Sequence, residues 1–103
     1  MPYIMPEERP DLDIEIENLV AAIRNNKTGL NNPNDMASHL GRINYCFSRV
    51  LSGLMGHPSY NKIAMITGVL ENIKQEFYRR VASDYENLKI TENGDIPEYL
   101  PPK

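Results

Sequence analysis

The chain has a single cysteine, Cys46, and no tryptophan. One thiol forms no intrachain disulfide, which excludes a cystine-stapled secreted scaffold and points to a reducing compartment. Zinc finds no motif either: His39 and His57 are far apart and share no metal-ligand spacing with Cys46. No stretch approaches the roughly 20 apolar residues of a membrane span, and the opening MPYIMPEERP lacks a basic segment followed by an apolar run. A broad cationic field is also missing. The net charge is -3 and the pI near 5.3, which argues against coating long nucleic acid. No glycine-rich phosphate loop precedes a helix, and no nucleophile stands beside an evident base. The expectation is a soluble cytoplasmic binding protein and not an enzyme, with no metal and no cofactor; a viral source would place it in the host cytoplasm.

Proline is nearly absent from the middle of the chain. Pro2, Pro6, Pro10, Pro97, Pro101 and Pro102 all sit in the end segments, leaving the interior free to be helical. The 103 residues allow one domain, 1–103, and a modest core, so part of its stability is expected from homo-oligomerisation. The pattern predicts an all-α fold: an N-terminal arm over 1–10, helices over 11–26, 33–55 and 59–89, and a C-terminal tail over 91–103. In the first helix Asp11 or Asp13 is the expected cap, and Leu12, Ile16, Leu19, Val20 and Ile23 share a face. In the second, Asn32 is the expected cap with Pro33 in the first turn. Its seam runs Met36, Leu40, Ile43, Phe47, Val50, Leu54, stepping by fours and threes. Gly53, Gly56 and Pro58 stop that helix and Ser59 caps the next. The third carries Ile63, Ile66, Leu70, Ile73, Phe77 and Val81 on one side. The short connection predicts that the last two helices form a long antiparallel hairpin. Asn93-Gly94 reads as a turn.

Off the seam of the second helix, Arg42, Tyr45 and Arg49 are expected to face outward, two guanidinium forks beside a ring that suit a phosphate and a base. Asn44 lies on the flank, open either to a bond across the hairpin or to a ligand edge. On the third helix Arg79 is expected to be free, and Arg80 to pair with Glu76 and Asp84, four residues to either side. Cys46, near the seam, is expected to be a small buried hydrophobe.

Several strings taken together, MPYI at the start, INYCFSRVL (43–51), GVLENIKQEFYRRV (68–81) and YENLKITENGDI (85–96), resemble a family of small phage, bacterial and archaeal proteins known as a domain of unknown function. The likeness covers both ends and both hairpin helices and misses mainly the loop from 25 to 34. Small helical oligomers of this kind in phages include anti-defence sponges, which sequester the cyclic nucleotide signals of bacterial immunity. The resemblance implies a closed pocket for a cyclic dinucleotide or related small nucleotide, with arginines on the phosphates, tyrosines stacked on the bases and Asn or Asp at base edges. In this chain the ligand-binding set is then Asn44, Tyr45, Arg49, Tyr78, Arg79 and Arg80, with Tyr3, Arg9, Asn93 and Asp95 as candidate lids. A competing class is a protein-binding adaptor or inhibitor acting through the helical surfaces. A nucleic-acid-binding regulator comes third, disfavoured by the net negative charge.

Overall fold

The computed structural model describes residues 4–25, 28–29 and 32–101, and it is all-α, with no strand among the described residues. The chain divides into two compact units, Met1–Gly56 and His57–Lys103.

In the first unit a short 3-10 turn, Pro6–Glu8, runs directly into helix α1, Arg9–Arg24. Helix thus begins before the expected cap at Asp11 or Asp13, inside what the sequence presents as an arm. Pro6 and Pro10 both occupy first-turn positions, where proline loses no hydrogen bond, and the Glu8 carboxylate accepts the Met5 N–H at 3.3 Å. Helix α2, Leu40–Met55, also starts later than the expected 33, after a 3-10 turn at Met36–His39. Pro33 therefore lies in a turn ahead of the helix. The physical reason is local side-chain bonding: Asn32 Oδ1 accepts from Asn34 N–H at 3.1 Å, and Asp35 Oδ1 from Ala37 N–H at 3.1 Å. Asp35, not Asn32, is the cap at that end. Gly56, at φ 63, closes α2 in a conformation that side chains with a Cβ rarely adopt.

In the second unit Ser59 caps helix α3, Tyr60–Phe77, its hydroxyl accepting from Lys62 N–H at 3.3 Å. The path continues through one π-turn, Tyr78–Ala82, into α4, Ser83–Asn93. Gly94, at φ 83, stops it, its N–H reaching Ile90 O at 2.7 Å. The Asn93-Gly94 pair is thus a helix end instead of a separate turn, and the helical path runs past the expected 89.

Among the described residues no hydrophobic side chain is buried. The expected seam residues Leu40, Phe47, Val50 and Leu54 are exposed, as are Leu12, Ile16 and Val20 of α1. Among the described residues the one buried polar residue is His39, 6% exposed, whose Nε2 lies 3.3 Å from Pro33 O and pins the turn before α2.

Candidate functional site

Arg42 is the side chain that organises the first unit. Its Nη1 donates to the carbonyls of Ala22, Ile23 and Asn25 at 3.2, 3.1 and 2.9 Å. These belong to the end of α1, where carbonyls lack helical partners and the dipole is negative, so a guanidinium satisfies both demands at once. The expectation that Arg42 faces outward for a ligand is therefore corrected: it closes α1.

Beside Arg42, residues of α1 and α2 line two clefts that meet at Tyr45 and Cys46. One, about 310 Å³, is lined by Ala22, Ile23, Gly41, Arg42, Tyr45 and Cys46. The other, also about 310 Å³, is lined by Leu19, Tyr45, Cys46, Arg49 and Val50. Neither wall contains a carboxylate. Arg49 sits over the Tyr45 ring, 5.9 Å from its centroid, and has no ion pair among the described residues. Asn44 accepts from its own helix, Ser48 Oγ at 3.3 Å. Cys46 is half-exposed, against the expectation of burial.

In the second unit the three consecutive site residues have different surroundings. The Tyr78 hydroxyl donates to Glu86 Oε1 at 2.8 Å, and this bond, then the carboxylate's charge, then slight desolvation, raise its pKa above the ordinary 10.0. Arg80 Nε meets Glu76 Oε1 at 3.1 Å, while no ion pair joins Arg80 to Asp84, so half of the expected charge ladder exists. Arg79 has no ion-pair or hydrogen-bonding partner among the described residues.

Of the candidate lids, Tyr3 lies outside the described residues. Arg9 is the first residue of α1, not part of an extended arm. Asn93 and Asp95 do come together, lining a cleft of about 380 Å³ with Glu86, Lys89, Ile90, Gly94 and Tyr99. Asp95 Oδ1 already accepts the Ile96 N–H at 2.8 Å, and Lys89 bonds Glu92 at 3.1 Å and lies 5.5 Å from the Tyr85 ring centroid.

A family model described as a domain of unknown function, DUF6899, matches residues 1–96. The chain belongs to that family. No curated protein and no solved structure matches it. The DUF6899 match takes in α1, α2, the π-turn and the Asn93–Asp95 end of the C-terminal cleft, so every candidate site residue falls within the family's span. No helix among the described residues is long and apolar enough to cross a membrane, and no group of three metal-ligating side chains occurs among them.

Proposed function

We propose that this protein binds a small anionic nucleotide, of the cyclic dinucleotide class, and holds it without cleaving it. The observation that carries the reading is the Arg49 guanidinium over the Tyr45 ring, lining an apolar cleft whose walls bear no carboxylate. A phosphate placed there meets an unpaired fork and no opposing charge, and a base finds an aromatic face and an apolar wall. Of the other candidate residues, Arg79 is unpaired within its own unit among the described residues, whereas Tyr78 and Arg80 are engaged by Glu86 and Glu76. Two ligand charges need only such a local patch, which reconciles the site with a net charge of -3. The cyclic form of the ligand and a role as a phage anti-defence sponge rest on the resemblance carried by the INYCFSRVL and EFYRR strings.

The test is thermal unfolding of ligand-free protein with cyclic di- and trinucleotides beside linear controls of equal charge, at fixed salt. A ligand at 100 times its Kd adds about 2.7 kcal/mol to the folded state. A shift confined to one cyclic compound, recovered unchanged after heat denaturation, supports the reading, and no shift with any of them sinks it. A second reading, a protein-binding adaptor, is favoured by one observation: the apolar row of α3 is exposed, Ile73 to 55% and Phe77 to 65%.

A further inference from the structure

Resting on the nucleotide reading above, we infer that the cleft beside Arg42 takes a guanine base by its O6 and N7 edge, which makes Arg42 the residue that selects among bases. In this cleft donors are free and acceptors are taken. All three Arg42 hydrogen bonds leave from Nη1, so Nε and Nη2 have no partner among the described residues. The Ala22 and Ile23 carbonyls, from two residues of the wall, already receive Arg42. Guanine presents two acceptors on one edge, the usual match for an arginine fork. Adenine puts its N6 amino donor where guanine has O6, so a donor meets a donor.

Charge and space agree with a base there and a phosphate at Arg49. The Arg42 guanidinium meets the negative end of the α1 dipole, so its remaining N–H groups suit a neutral acceptor edge better than an anion. Arg49 has no such counterpart among the described residues and keeps the phosphate. The two arginines lie on α2 roughly 10 Å apart along the helix, comparable with a nucleotide from its phosphate to the far edge of its base. Tyr45, which lines both clefts, comes between them in the chain. Gly41 keeps the wall of the Arg42 cleft low: a Cβ there would meet nothing within 4 Å, which leaves the cleft of about 310 Å³ open to a flat ring.

Calorimetric titration of the ligand-free protein with cyclic diguanylate, cyclic di-inosinate and cyclic diadenylate at fixed salt tests this. Hypoxanthine keeps O6 and N7 but lacks the guanine amino group, so the first two should bind alike and the third roughly tenfold or more weakly. Arg42→Lys keeps a charge but not the fork and should bring the guanine and adenine affinities together. Gly41→Leu should fill the cleft and weaken the guanine compound in protein that still folds. Should Arg42→Lys fail to fold, the three ligands and Gly41→Leu still decide. Adenine bound as tightly as guanine, hypoxanthine bound as weakly as adenine, or Gly41→Leu without effect would overturn the guanine assignment and leave the nucleotide reading standing. Binding of none of the three would overturn it together with the cyclic dinucleotide reading on which it rests.

Discussion

The two units hold their helices by different means. In the first, one side chain of α2 reaches back to the backbone of α1, and Arg42 gathers three carbonyls that lie 17 to 20 residues away in sequence. In the second, several side-chain bonds along Tyr60 to Asn93 join near neighbours, among them Gln75 to Glu71, Arg80 to Glu76, Lys89 to Glu92, and Tyr78 to Glu86 two turns on. A bond between distant segments fixes tertiary structure, whereas pairs three or four apart only favour helix over coil, by a few tenths of a kcal/mol each. The first unit thus contains a tertiary tie of its own, whereas these pairs of the second favour its long helical path.

The largest expected effect tests that tie. Arg42→Ala leaves three carbonyls at the end of α1 without their charged donor, and should cost about 2 kcal/mol, by the usual worth of hydrogen bonds to charged groups. In a domain of this size each kcal/mol lowers the melting temperature by roughly 4–8 °C. Arg42→Lys keeps a charge but not the fork and should recover part of the loss. Hydrogen exchange locates the effect: amides of α1 should lose protection first. An Arg42→Ala protein within about 0.5 kcal/mol of wild type would break the comparison, because the tie would then be ornamental.

Arg49 sharpens the same contrast, since it lies two turns beyond Arg42 on the same helix yet bonds to no other segment among the described residues. Arg49→Ala should weaken nucleotide binding about tenfold, about 1.4 kcal/mol, with the melting temperature of the ligand-free protein nearly unchanged. Calorimetric titration beside thermal unfolding separates the two readouts. A large loss of stability with intact binding would exchange the roles assigned to the two arginines.

Ser59 carries the next effect. Its hydroxyl caps the first turn of α3, and Ser59→Ala should cost about 1 kcal/mol by thermal unfolding, with Ser59→Asp restoring most of it. This cap was legible in sequence because capping is local: a residue type, a following helix and a preceding proline suffice. The all-α class and the stop at Gly56 were legible for the same reason. The fate of Arg42 was not, since a helical wheel shows that it lies off the seam but not that another helix ends beside it. The start of α2 failed on competition between two local signals, in which Asp35 capped the 3-10 turn and the helix began beyond Pro33. The absence of buried apolar side chains among the described residues was hidden too, because an apolar stripe looks the same in sequence whatever covers it.

The smallest expected effect concerns the π-turn. Residues eight apart on an α-helix differ by about 80° in direction, so a Tyr78 to Glu86 hydrogen bond is out of line unless the turn between them holds an extra residue. The bond therefore reports the phase that the π-turn sets. It also raises the Tyr78 pKa above 10.0, because the Glu86 acceptor, and then its charge, oppose loss of the phenolic proton. A folded pKa above the unfolded one means that the contribution is whole below the ordinary tyrosine range and is lost as the pH rises through the folded value. Nothing should change near neutrality, and ultraviolet titration should show a tyrosine ionising late that Tyr78→Phe removes and Glu86→Gln brings back toward 10.0. If Tyr78→Phe removes no late step, the two side chains are out of line. The π-turn would then not bring residues eight apart onto one face of the helical path.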